Sequence, residues 1–265
     1  MRLLVAASRE QGDVTTMASR RIDELIDIVF PTACMGCGAP GGRLICDRCV
    51  RAMVLCRPCS GQGFEAARPG GWSPSFDAVV AASWYRGLAR EALLRLKSSC
   101  RPAADPLALA MVAAAGNDPL FVAPDFVCFV PSTRAKVVER GYNPAELLAR
   151  RVARMIGRPV LDCIEKSRVT RDQDSLSGQD RTHNVAGAFR PARTVRQGAA
   201  ALLVDDVITT GSTADSCTLA VLESGAGEVR VLVAARAYLR GPGASSMYQS
   251  QVPPPLPRRP AADFS

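Results

Sequence analysis

Two adjacent carboxylates, Asp205 and Asp206, close the apolar run at residues 200–204, and Val207, Ile208, Thr209, Thr210, Gly211, Ser212 and Thr213 follow at once. An ionised carboxylate only accepts hydrogen bonds, so an acidic pair suits the neighbouring hydroxyls of a sugar. The hydroxyl-rich loop offers the opposite chemistry, a set of donors for an anion. Gly211 lets the backbone approach such an anion without a Cβ in the way. A helical pattern begins after Thr213, and a helix N-terminus favours negative charge through its free N–H groups and its dipole. A diol clamp beside a phosphate cup is chemistry for a sugar phosphate.

A second set of reactive residues lies near the N-terminus. Cys34/Cys37, Cys46/Cys49 and Cys56/Cys59 are three C-x-x-C pairs. That spacing lets two thiolates face one ion from a tight turn, and two such turns complete a tetrahedron around zinc. Cys34, Cys37, Cys46 and Cys49 make the compact ribbon. Cys56 and Cys59 either replace one of these pairs as ligands or remain from a second ribbon without metal. The other cysteines (Cys100, Cys128, Cys163 and Cys217) stand singly in apolar or helical surroundings and read as core.

Hydrophobic periodicity supplies the elements that must hold these groups. Residues 19–30 carry apolar side chains at helical spacing, and Pro31 ends the pattern. Strands are expected at 78–85, 126–130, 200–204 and 229–235, and helices at 88–96, 107–115 and 144–156, the last with Pro144 in its first turn. Strand and helix alternate, which predicts an α/β fold with a mostly parallel sheet flanked by helices. Ligands of such sheets sit at the carboxyl ends of strands, where the acidic pair falls. The expected organisation is an unpatterned segment over 1–17 with Met17 as an alternative start, a helix and cysteine module over 18–75, one α/β domain over 76–240, and a proline-rich, disordered tail over 241–265.

Composition narrows the partners. The chain has 265 residues, 48% of them hydrophobic, and a net charge of +8. Between Arg134 and Arg196 there are fourteen Arg or Lys against seven Asp or Glu, so most of the surplus lies in one segment. Arginine forks match phosphate oxygens in pairs, which suits a phosphate-rich ligand or a nucleic acid. Aromatics are only 5%, which argues against broad base-stacking platforms. No run is long enough for a membrane-spanning helix and no signal peptide stands out, so a cytoplasmic protein is expected.

The run from Asp205 to Thr213 resembles the phosphoribosyl pyrophosphate signature of type I phosphoribosyltransferases. Further segments extend the likeness: Pro131, Ser132, Thr133, Arg134 and Lys136; then Arg140, Gly141, Tyr142 and Asn143; then Arg171, Asp172 and Gln173; then Arg181, Asn184, Gly187, Ala188 and Phe189. With the cysteine ribbon, and in this order, they are similar to the competence protein F (ComF) family. The resemblance implies a type I phosphoribosyltransferase fold with a zinc ribbon. It implies that Asp205 and Asp206 contact ribose hydroxyls and that Thr209, Thr210, Gly211, Ser212 and Thr213 wrap the 5-phosphate. Arg134, Lys136 and Arg140 would face pyrophosphate from a loop, and a flexible hood over 168–184, with Gln173 and Arg181, would cover the site. The implied ligands are phosphoribosyl pyrophosphate or a nucleotide, Mg²⁺ with it, and structural Zn²⁺. The implied setting is competence and DNA uptake or nucleoside metabolism, with single-stranded DNA and competence proteins as candidate partners. Two readings follow, a phosphoribosyltransferase with an unknown acceptor and a non-catalytic DNA-binding adaptor. The chain departs from the family in two places. A final ribbon cysteine pair is missing, and Lys97, the family's lysine, is followed by Ser98 and Ser99 rather than by an aromatic residue.

Overall fold

The computed structural model describes residues 33–41, 43–55, 73–116, 121, 123–167 and 188–237. The expected helix over 19–30, the pair Cys56 and Cys59, the hood with Gln173 and Arg181, and the proline-rich tail lie outside them. Within the described residues six strands form in chain order: β1 (Ala78–Ala81), β2 (Phe126–Phe129), β3 (Ile164–Lys166), β4 (Phe189–Pro191), β5 (Ala200–Ile208) and β6 (Glu228–Arg236). Six α-helices accompany them: α1 (Asp47–Leu55), α2 (Gly87–Lys97), α3 (Ala104–Ala115), α4 (Arg134–Arg140), α5 (Pro144–Ile156) and α6 (Ser212–Glu223).

The main sheet runs β1-β6-β5-β2 with every neighbour parallel. Central strands of a parallel sheet are covered on both faces and therefore read as unbroken apolar runs. Leu202, Leu203 and Val204 of β5 fit this: all three are fully buried. Helices α3 and α5 pack on one face, and α6 with the β3–β4 hairpin packs on the other. Helix α5 shows why its sequence folds locally as it does. Ala145, Leu148, Ala149, Val152 and Ala153 form its buried stripe, Asn143 caps its first turn, and Gly157 closes it in a left-handed conformation.

The structure differs from the sequence reading in three ways. Strand β5 runs on through the acidic pair to Ile208, because Asp205, Val207 and Ile208 stay in register with Val233, Ala235 and Arg236 of β6. The stretch expected as a pyrophosphate-facing loop contains α4, which Thr133 caps at one end and Gly141 (φ 76°) closes at the other. The antiparallel pair β3–β4 was not expected, since strands of three residues are too short to show alternation. The described part of the cysteine module packs against the sheet domain. Cys34, Cys37, Ile45, Cys49 and Val50 share one continuous buried cluster with the sheet, and α1 packs on α3.

Candidate functional site

Strands β2 and β5 are neighbours, yet the chain leaving β2 enters α5 on one face and the chain leaving β5 enters α6 on the other. Such a reversal opens a crevice at the carboxyl ends of the two strands. A cavity of about 430 Å³ lies there, bounded by the turn after β2, α4, the end of α2, the β3–β4 hairpin and the carboxylates of β5. Its size falls among small-molecule sites, which span roughly 300–1,000 Å³.

Asp205 and Asp206 both line this cavity. The Asp205 carboxylate accepts a hydrogen bond from the Asp206 N–H at 2.8 Å. Asp205 keeps some solvent contact at the cavity wall, but protein surrounds it closely. Burial, and then the charge of Asp206, push its carboxyl well above the usual carboxylate range, while the Asp206 N–H and Lys97 pull the other way. Asp206 is paired: Lys97 Nζ lies 2.8 Å from its Oδ2, with the two side chains 29% and 17% exposed. The two carboxylates are hard oxygen donors of the kind magnesium accepts.

The cations come from three elements. Lys97 ends α2, Lys136 and Arg140 project from α4, and Lys166 ends β3; all four line the cavity. Arg134 opens α4, is exposed, and lies outside the lining. Asn143 fixes the wall between α4 and α5. Its side chain donates to Val130 O at 2.9 Å and accepts from Ser132 Oγ at 2.9 Å and from Ala145 N–H at 3.1 Å. Next to it the Tyr142 hydroxyl donates to Leu96 O, which ties the end of α2 to the same wall.

The hydroxyl loop is built as a tight turn. Gly211 holds φ 81° just before α6, a conformation a Cβ would disfavour. Thr210 Oγ1 and Ser212 Oγ lie 2.8 Å apart, and the Ser212 N–H donates to Thr210 Oγ1 at 3.3 Å. Thr213 lines the cavity, whereas Thr209, Thr210, Gly211 and Ser212 sit beyond its lining. Sequence reasoning gave no role to Lys97, Lys166, Asn143 or Phe189, which also line it. One available signal was frequency: among 33 basic residues only three are lysines, Lys97, Lys136 and Lys166.

The sulfurs of Cys34, Cys37, Cys46 and Cys49 lie within 4.8 Å of one another. Backbone N–H groups of Gly36 and Cys46 point at Cys34 Sγ from 3.4 and 3.3 Å. Burial opposes ionisation of Cys34, but the N–H groups of Cys46, Cys37 and Gly36 outweigh it and bring the thiol to about 6. Burial and the neighbouring thiols push Cys49 up. Four thiols around one point, with N–H donors aimed at a sulfur, form a donor set fit for a structural zinc ion.

No family model matches the chain. The chain is 30% identical over 220 residues to the DNA utilization protein YhgH of Escherichia coli O6:H1, across 77% of this chain and 96% of that protein. It is 36% identical over 117 residues to competence protein F of Haemophilus influenzae, across 43% of this chain and 51% of that protein. Among solved structures, a purine phosphoribosyltransferase from Pyrococcus horikoshii aligns with 51% of this chain and 79% of its own, at 16% identity and a TM-score of 0.31.

Proposed function

The chain belongs to the competence protein F (ComF) family, in which the DNA utilization protein YhgH is its relative, and from that premise we propose that it binds a phosphoribosyl pyrophosphate or a nucleotide in the service of DNA uptake or use. One observation carries the reading. A single cavity sets an acidic pair, Asp205 and Asp206, against Lys97, Lys136, Arg140 and Lys166. A sugar with free hydroxyls and a polyphosphate needs both kinds of partner at once, acceptors for the diol and cations for the phosphates. In this reading Thr209 to Thr213 hold the 5-phosphate at the N-terminus of α6, and Gln173 and Arg181 belong to a covering hood.

Asp205 and Asp206 would hold Mg²⁺ together with the ligand, and the bound ion supplies charge neutralisation for pyrophosphate. The chain's own part is positional. Asn143 holds the turn after β2 against α5, and α4 presents Lys136 and Arg140 to the cavity. If a nucleophile displaces pyrophosphate, these cations stabilise the departing group. We place the protein in the cytoplasm, where the eight free thiols among the described residues would stay reduced.

Calorimetry with phosphoribosyl pyrophosphate and Mg²⁺ tests the site. Wild-type protein is expected to bind. Replacing Asp205 and Asp206 by alanine should weaken binding roughly 10- to 100-fold per carboxylate, the cost of a hydrogen bond to a charged group. Equal affinity in the double variant sinks the reading. Release of pyrophosphate with a panel of bases and amines would assign the transferase reading, and binding without release would leave a sensor.

The names of the relatives and the arginine surplus between Arg134 and Arg196 favour a second reading, an adaptor for single-stranded DNA. Phosphate contacts by arginine make such binding steeply salt-dependent. Anisotropy of a labelled oligonucleotide at several salt concentrations should show that slope, and affinity indifferent to salt excludes it.

A further inference from the structure

Lys97 has no part in the reading above beyond adding charge, yet its surroundings are specific. The chain has 33 Lys and Arg side chains and only three are lysine. All three line the same cavity, and they arrive there from α2, α4 and β3. Elsewhere the chain meets its need for positive charge with arginine. An arginine fork grips a carboxylate through two parallel hydrogen bonds, whereas an ammonium is a point charge with rotatable donors on a flexible stem. Lysine is the side chain suited to changing partners.

Lys97 sits where such a change would matter. Its Nζ is 2.8 Å from Asp206 Oδ2, so its charge occupies one of the two carboxylates expected to receive sugar hydroxyls. The backbone beneath it is fixed. Leu93 and Leu96 are fully buried, and the Tyr142 hydroxyl holds Leu96 O. Only the side chain is free to swing. Lys136, Arg140 and Lys166 share the cavity but form no ion pair with either carboxylate among the described residues.

Taking the phosphoribosyl site as its basis, we propose that Lys97 is an exchangeable counter-ion. It neutralises Asp206 while no phosphate is present, moves to phosphate oxygens when a phosphoribosyl pyrophosphate enters, and so frees Asp206 for the sugar hydroxyls. Binding of the phosphate end then uncovers the acceptor for the sugar end. A ligand without pyrophosphate meets an occupied carboxylate and is discriminated against.

The lysine count makes the test direct. Acetylate the intact protein with an amine reagent, with and without inorganic pyrophosphate, and follow each lysine by peptide mass spectrometry. Pyrophosphate should slow labelling of Lys97 together with Lys136 and Lys166. Protection of Lys136 and Lys166 with Lys97 unchanged overturns the exchange and leaves the site standing. Protection of none overturns both. The variants K97M and K97Q add a second readout. Pyrophosphate affinity should fall roughly tenfold, the loss of one charged contact. Affinity for Mn²⁺ alone, followed by electron paramagnetic resonance as a stand-in for Mg²⁺, should rise because Asp206 has lost its competing cation. A parallel fall of both affinities is what a merely structural Lys97 would give and overturns the proposal. Should neither variant fold, the labelling of the wild-type protein decides alone.

Discussion

Asp205 shows how a site residue can oppose stability. Its carboxyl holds a proton more tightly in the folded chain than in the unfolded one, because burial and Asp206 disfavour its charge. A raised folded-state value means that its favourable contribution is complete below the ordinary carboxylate range, near about pH 4, and is lost as pH climbs through the raised value. Asp205→Asn removes the titration and keeps an oxygen for the Asp206 N–H. We expect a higher melting temperature than wild type at pH 7 and a shrinking gain as pH approaches 4; calorimetry across this range checks it, and a lower melting temperature at pH 7 refutes the account. Ser99, two residues beyond Lys97, carries a φ of 76° without being glycine. Ser99→Gly should stabilise the fold by up to about 1 kcal/mol, read by urea unfolding, since the left-handed conformation costs an L side chain.

At the scale of elements, the wall between β2 and α5 depends on one side chain. Asn143 is buried and satisfies Val130 O, Ser132 Oγ and the Ala145 N–H together. Asn143→Ala strands a carbonyl and an uncapped helix N–H, so it should cost about 2–3 kcal/mol, more than an exposed cap, which costs about 1. Chemical denaturation measures the loss, and a cost under that of an exposed cap would show that water replaces the amide. The sequence revealed α5 through its apolar spacing and Pro144. It concealed α4, a seven-residue helix with no buried side chain. Without a buried face there is no hydrophobic period to read, and only the Thr133 cap and Gly141 mark its ends.

For the whole molecule, the question is whether the cysteine cluster and the sheet melt together. They share one buried cluster, and Gly36 is wedged so tightly that a Cβ on it would lie 2.8 Å from Leu88 Cδ2 and 2.9 Å from Cys49 Sγ. If the four thiols hold zinc, a chelator should therefore lower a single cooperative transition rather than abolish a separate small one. Scanning calorimetry with metal analysis checks this; two independent transitions would show a ribbon that merely abuts the domain. Gly36→Ala should weaken metal retention and lower the same transition, because the strain falls on Cys49 and Leu88 alike. Among the described residues no helix is long and apolar enough to cross a membrane.

Residue types and spacing alone determined the acidic pair after an apolar strand, the glycine-hydroxyl loop, the paired thiols and the alternation of strands with helices, because each is local along the chain. Proximity across the sheet was decided only by the tertiary structure. Lys97, Lys136 and Lys166 are separated by 39 and 30 positions in sequence (97 to 136, 136 to 166) and meet around one cavity. Nothing in a linear pattern encodes that meeting. It arises because β2 and β5 lie side by side while their following helices turn to opposite faces, leaving a gap that the ends of α2, α4 and β3 must close.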